Sequence, residues 1–267
     1  MSRASHLSPA SRDGRADGAD GADTWLRRFH PAPDARVRLV CFPHAGSSAS
    51  YYHAMSGLLA PEIDVLAVQY PGRQDRRHEP PADDVLDLAG RIFAVLRDQD
   101  GPPPALFGHS MGATVAYETA RLLEHRAGVR VRALFVSGRR APSRVRAEHV
   151  PLGDDDAVVA ELRRLSGTDL RALEDAEMRR LVLPVVRADY AAIERYRRPP
   201  GPDPACPISV FTGDADPLTT VEEAWAWTAH SAAGVDVRVF PGGHFFIDDH
   251  QKEIAELVAA ALGTRTT

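Results

Sequence analysis

Ser110 stands at the centre of Gly108-His109-Ser110-Met111-Gly112, a G-x-S-x-G run with a short apolar stretch (residues 105–107) before it and a helical apolar pattern after it. A serine at a tight strand-to-helix turn is held in a strained backbone conformation. Side chains at the flanking positions would collide with neighbouring backbone, hence glycine at 108 and 112. Such a turn presents the hydroxyl outward as a candidate nucleophile. It also leaves the amide N–H of Met111 at a helix start, where the dipole favours negative charge, so this amide is a candidate oxyanion donor.

A serine hydroxyl needs a base to take its proton, and the base needs an acceptor to fix its tautomer. Eleven histidines are available. In an α/β sheet with this turn the order along the chain is serine, acid, histidine, which places the base after residue 110. His244 follows the strand-like 235–240 through Pro241-Gly242-Gly243 and can hang over a strand end. His125 and His230 fall at helix ends and His250 at the start of the last helix, where solvated surface roles are expected. The acid belongs on the loop after the preceding strand, which offers Asp214 and Asp216. Spacing separates the two only weakly: Asp216 lies deeper in the loop, and the other can cap the turn or the next helix. A second oxyanion donor is expected from the loop Phe42-Pro43-His44-Ala45-Gly46-Ser47-Ser48, and the amide of Ala45 is the candidate, with His44 bracing the loop.

These residues must be positioned by an α/β framework. Strand-like runs fall at 37–42, 63–69, 105–107, 131–136, 208–212 and 235–240, mostly apolar without alternation, as in strands covered on both faces. Between them lie helical patterns. Val85, Leu88, Ala89, Ile92, Phe93 and Leu96 form one stripe, with Asp83 or Asp84 placed to cap it. Residues 111–126 repeat the pattern and reach Gly128 at a C-terminal cap, and Ile254, Leu257, Val258 and Ala261 form a third stripe. Alternating strands and helices imply a mostly parallel sheet with helices on both faces. Residues 1–23, rich in Gly, Asp and Ala, are expected to be a disordered tail; 24–138 and 207–267 form the core. Residues 139–206 lack strand patterns and are expected to form a helical lid over the strand ends, with Leu162, Leu165, Leu181, Val185, Tyr190 and Ile193 walling a ligand chamber.

Composition excludes other chemistries. Of the 267 residues 44% are apolar, ample for a core, and the formal charge of −5 has the wrong sign for gripping nucleic acid. Lys252 is the only lysine, which leaves almost nothing for Schiff-base chemistry or a phosphate-cradling GK[ST] loop. Cys41 and Cys206 cannot build a disulfide framework, no apolar run has the length of a membrane span, and a cytoplasmic location is expected. No H-E-x-x-H and no G-x-G-x-x-G occurs, so neither a metal nor a dinucleotide cofactor is expected. The cluster Arg73, Asp75, Arg76 and Arg77 has the makings of an ion-pair network more than of a phosphate site.

The stretches WLRRFHP, LVCFPHAG, YPGRQDRRHEP, FGHSMGATVAYETAR, LRRLSGT, LPVVRADY, FTGDADP and FPGGHFFI together resemble the type II thioesterases of polyketide and nonribosomal peptide biosynthesis, members of the α/β-hydrolase superfamily. The similarity runs from about Trp25 to Leu262. Carried over by motif, the resemblance puts the nucleophile on Ser110, the acid on Asp216, the base on His244, and the oxyanion donors on the amides of Ala45 and Met111. It implies an acyl thioester on the phosphopantetheine arm of an acyl or peptidyl carrier protein as substrate. It also implies a role in releasing stalled or misprimed acyl units, with no further cofactor and no membrane or nucleic-acid partner. A monomer is expected. One departure is Ser47, where many relatives carry a second glycine (HAGG), and its side chain is expected to narrow the mouth of the site. Two rival readings share these residues: an oxygen-ester carboxylesterase or lipase, and a binding protein on an idle hydrolase scaffold.

Overall fold

The computed structural model describes residues 17–146, 153–165 and 175–266. Among them, seven strands form one sheet in the order β1-β3-β2-β4-β5-β6-β7. The strands are β1 (Leu26–Arg27), β2 (Val37–Phe42), β3 (Ile63–Val68), β4 (Pro104–His109), β5 (Leu134–Ser137), β6 (Ile208–Gly213) and β7 (Val235–Phe240). Every pairing is parallel except β1 with β3, so the expected α/β-hydrolase sheet is present with an antiparallel edge.

The central strands are mostly apolar because helices cover both faces. Alternate residues of each strand enter different cores. Val40, Phe42, Leu106 and Val136 pack with α3 (Val85–Leu96) and α4 (Met111–Arg126), whereas Leu39, Cys41, Phe107 and Phe135 pack with α2 (His53–Leu59) and the C-terminal helix (Gln251–Ala261). The α3 stripe buries Val85, Leu88, Ala89, Ile92 and Leu96 as its spacing requires. Asp84, rather than Asp83, caps it by accepting from Asp87 N at 2.8 Å. Gly128, with φ +65°, follows the end of α4, where a side chain would be strained.

Three expectations need correction. Residues 17–23 are not a disordered tail: α1 spans Asp17–Trp25, and residues 1–16 lie outside the described residues. Ala19 and Ala22 favour helix there, and buried Trp25, with the Arg76 guanidinium 4.1 Å over its ring, anchors the helix end. The 131–136 run enters the ladder as a strand only at Leu134. Finally, β7 is not covered on both faces; as an edge strand it leaves Asp236, Arg238 and Val239 exposed and buries only Phe240.

The segment between β5 and β6 carries α5 (Asp155–Leu165) and α6 (Ala176–Arg195), which share a small apolar cluster of Val158, Val159, Leu183, Val186 and Tyr190. Residues 147–152 and 166–174 of this expected lid lie outside the described residues. Arg187 binds the Gly153 carbonyl and Asp155, tying α6 to the start of α5. No helix among the described residues is long and apolar enough to cross a membrane.

Candidate active site

Ser110 sits between β4 and α4 with φ +53° and ψ −119°, a conformation that costs a non-glycine residue about 1–3 kcal/mol. The neighbours hold it there. Ser110 N–H donates to the Ser137 carbonyl at 2.8 Å, and the Ser110 carbonyl accepts from Ala113 N at 3.0 Å. The flanking glycines are required sterically: a Cβ on Gly108 would lie 2.2 Å from the Gly112 carbonyl oxygen, and one on Gly112 would lie 2.0 Å from that of Phe42. The turn therefore fits only by backbone-to-backbone contact between α4 and the ends of β2 and β4.

His244 and Asp216 reach Ser110 from the ends of the two outer parallel strands. His244 Nε2 lies 3.0 Å from Ser110 Oγ. Its Nδ1 lies 3.1 and 3.0 Å from the two oxygens of Asp216. A carboxylate accepts, so the ring proton sits on Nδ1, and Nε2 turns a lone pair to the serine, whose O–H donates. His244 is 2% exposed, and Asp216 is fixed further by Leu218 N–H at 2.8 Å. Asp214, the other carboxylate of the loop, accepts from Gly242 N–H at 2.9 Å and holds the turn that leads to His244. That turn lies so close that a Cβ on Gly213 would be 2.5 Å from the carbonyl oxygens of Gly242 and Gly243.

Ala45 and Met111, whose amides are the candidate oxyanion donors, line the same pocket as Ser110 and His244. Met111 N–H belongs to the first turn of α4, which leaves its donors free of intrahelical acceptors. The Ala45 loop is held by two buried tyrosines, since Tyr52 donates to the Phe42 carbonyl at 2.8 Å and Tyr70 to the Pro43 carbonyl at 3.2 Å. Gly46 turns the chain at φ +76°, and Ser47 N donates to the His44 carbonyl at 3.1 Å. Ser47 is not among the residues lining the pocket.

His44 braces the loop. Its Nδ1–H donates to the Ala45 carbonyl at 3.0 Å, and its ring packs edge-on against Tyr51, His109 and Phe245. Burial pushes its pKa down to about 4 from 6.5, and burial also holds His109 well below its usual value. Between those two pH values the unfolded chain takes up a proton that folded His44 refuses. This share of stability is complete above pH 6.5 and is lost as pH falls, by about 2 kcal/mol between pH 6.5 and 5. Chemical denaturation at the two pH values measures the loss. A His44→Asn variant, whose amide can replace the Nδ1 donor, is expected to show a pH dependence shallower by that amount.

The lid contributes Leu162, Leu165, Tyr190 and Ile193 to the pocket, as the sequence suggested. Leu181 does not belong there, being 56% exposed on the outer side of α6. Val185 is buried but is not part of the pocket lining. His230 is also corrected: it is 5% exposed, not solvated, and bridges Asp203 and Ser143 away from the pocket. His125 is exposed, and His250 binds the Pro241 carbonyl at 3.1 Å. The basic cluster is an ion-pair network, with Arg76 on Glu79, Arg27 on Asp75 and Arg73 on Asp189. The thiols of Cys41 and Cys206 are buried and unpaired with each other, and burial raises both pKa values, which leaves them inert. No group of three or more residues able to hold a metal occurs among the described residues.

Asp189 is the residue that the sequence analysis missed. It is 1% exposed on α6, accepts from both terminal nitrogens of Arg73 at 2.9 and 2.8 Å, and accepts from Gly46 N–H at 2.7 Å. A signal was present: Asp189 lies four residues after Val185, three after Val186 and four before Ile193, inside the apolar stripe of its helix. A charge in that stripe demands a buried partner.

The parallel sheet, the strained serine turn and the Ser110–His244–Asp216 chain define an α/β-hydrolase fold. The chain belongs to the thioesterase domain family, whose model matches residues 37–262. Among curated proteins it is 51% identical over 243 residues to the probable cadicidin biosynthesis thioesterase of Streptomyces griseus, covering 91% of this chain and 67% of the relative. It is 50% identical over 232 residues to thioesterase PikA5 of Streptomyces venezuelae, covering 86% and 82%. Among solved structures, the type II thioesterase BorB from the borrelidin biosynthetic cluster superposes with a TM-score of 0.84 at 49% identity, covering 90% of this chain and 98% of that one.

Proposed function

We propose that the protein is a stand-alone thioesterase that hydrolyses acyl groups from the phosphopantetheine arm of carrier proteins in polyketide or nonribosomal peptide synthesis, clearing stalled or misprimed units. The observation that carries this reading is the hydrogen-bonded Ser110–His244–Asp216 chain, in a pocket that Ala45 and Met111 also line, in a member of the thioesterase family. Ser110 Oγ attacks the thioester carbonyl while His244 Nε2 takes the hydroxyl proton. The tetrahedral oxyanion rests on Ala45 N–H and Met111 N–H. Its collapse breaks the C–S bond, and His244 returns the proton to the departing thiolate. A water then attacks the acyl-serine with the same histidine as base, releasing the acid and restoring Ser110. Asp216 keeps the ring in the tautomer that both steps need.

A carrier-bound substrate is supported by an arginine-lined groove beside the pocket. Arg139, Arg140, Arg144, Arg146 and Arg197 line it, and it shares Arg139 and Ile193 with the reaction pocket. In a chain of net charge −5, such a concentration suits the phosphate of a pantetheine arm whose thioester end lies at Ser110. The reading is tested by comparing kcat/KM for an acyl carrier protein, the same acyl group on pantetheine, and the matched oxygen ester. Preference is expected to fall in that order, and a faster oxygen ester would overturn the reading. In the same assay, the exposed pair Arg144→Glu/Arg197→Glu is expected to raise KM for the acyl carrier protein about fivefold to tenfold, less in high salt, with the phosphate-free pantetheine substrate unchanged.

A further inference from the structure

The lid helix α6 reaches the loop that carries Ala45 at two points, and one of them is charged. Val186 packs against Gly46, where a Cβ would come within 2.8 Å of Val186 Cγ2. One turn on, Asp189 receives Gly46 N–H at 2.7 Å. Arg73, fixed by the carboxylate through both terminal nitrogens, donates in addition to the Ser47 carbonyl at 2.9 Å and the Pro71 carbonyl at 3.3 Å. The pair thus grips the turn on both sides of Gly46, the residue after the candidate oxyanion donor.

Packing alone gives no reason for this arrangement. Asp189 and Arg73 are 1% and 7% exposed, and a buried ion pair is commonly no better for stability than apolar side chains of similar volume. The neighbouring buried positions of α6, Val185, Val186 and Tyr190, seat the helix with apolar or aromatic groups. What an apolar side chain cannot do is accept the Gly46 N–H and fix the direction of the adjoining peptide. Arg73 also neutralises the carboxylate, which would otherwise oppose a negative charge developing nearby.

We propose that Asp189 and Arg73 are positioning residues that aim the Ala45 N–H at the reacting carbonyl, so that the oxyanion donor is in place only when α6 of the lid is seated. This inference rests on the acyl-transfer reading above. It makes seating of the lid and completion of the site a single event, and it predicts a defect in the transition state and not in substrate binding.

The test uses the full chain and a short-chain acyl pantetheine thioester. Asp189→Asn keeps the size and one acceptor oxygen but releases Arg73. It is expected to lower kcat about 10²-fold with KM within twofold. It should weaken a trifluoromethyl ketone analogue, which forms the tetrahedral adduct, by the same factor, while leaving an unreactive thioether analogue unaffected. A second variant, Asp189→Leu/Arg73→Met, restores an apolar contact of similar volume and keeps the test decisive if the single variant fails to fold. It is expected to melt like the parent protein and remain about 10²-fold slow. Recovery of full kcat in the apolar pair, a rise in KM without loss of kcat, or unchanged ketone affinity in Asp189→Asn would each overturn the proposal. Failure of the parent protein to hydrolyse the thioester while it hydrolyses the oxygen ester would instead overturn the substrate reading, and the latch would then be scored on the ester.

Discussion

Ser110→Ala is expected to lower thioester turnover on the order of 10⁶-fold, the scale on which a serine nucleophile acts when its base and acid are left in place. The variant removes one oxygen and its bond to His244 Nε2, and it leaves Gly108, Gly112 and the amide bonds that hold the turn untouched. Alanine carries the same strain at φ +53° as serine, so the folded state should survive with little change in melting temperature. Residual hydrolysis, about 10³-fold or more above water, is expected from the two amides and from binding. Steady-state rates on an acyl pantetheine thioester check this. A loss smaller than tenfold would mean that water, and not Ser110, attacks the carbonyl.

The second large effect separates two aspartates two residues apart. Asp216→Asn is expected to lower kcat about 10⁴-fold. An amide at this position can turn its NH2 toward His244 Nδ1, which then accepts; the ring proton moves to Nε2, where it faces Ser110 and blocks deprotonation. Asp214→Asn is expected to cost less than about tenfold, because the amide oxygen still accepts the Gly242 N–H and only the charge assistance of that bond is lost. Parallel kinetics of the two variants decide the assignment. A greater loss in Asp214→Asn would move the acid to the other carboxylate.

The chemistry was legible in the sequence because each participating residue follows a strand whose pattern is local. Ser110, Asp216 and His244 come directly after β4, β6 and β7, and glycine marks the turns beside them. The choice of Asp216 over Asp214 was not legible from spacing alone. It depends on which carboxylate meets Leu218 N–H and which meets Gly242 N–H, bonds set by the fold of one loop. Strand β1 has two residues, too few to show a period, and exists only because Leu26 and Arg27 pair with Val68 and Ala67. His230 looked like a surface residue at a helix end, yet the loop carrying Asp203 folds over it. Leu181 fell within the apolar set of the lid because periodicity does not reveal which neighbour a helix faces, and among the described residues that side is exposed. Asp189 was the reverse case. Its partners Arg73 and Gly46 lie 116 and 143 residues away, and only the sheet's topology brings them together.

The central claim is that an acyl group passes through Ser110 Oγ. The most direct test is a single-turnover reaction with an acyl pantetheine thioester, quenched in acid on the millisecond scale, digested and read by mass spectrometry. The expected result is the acyl mass on the peptide containing Ser110, rising and decaying with the free acid, and absent from Ser110→Ala protein. Hydrolysis at the normal rate with no acyl group ever found on Ser110, or with the group on another residue, would contradict the claim.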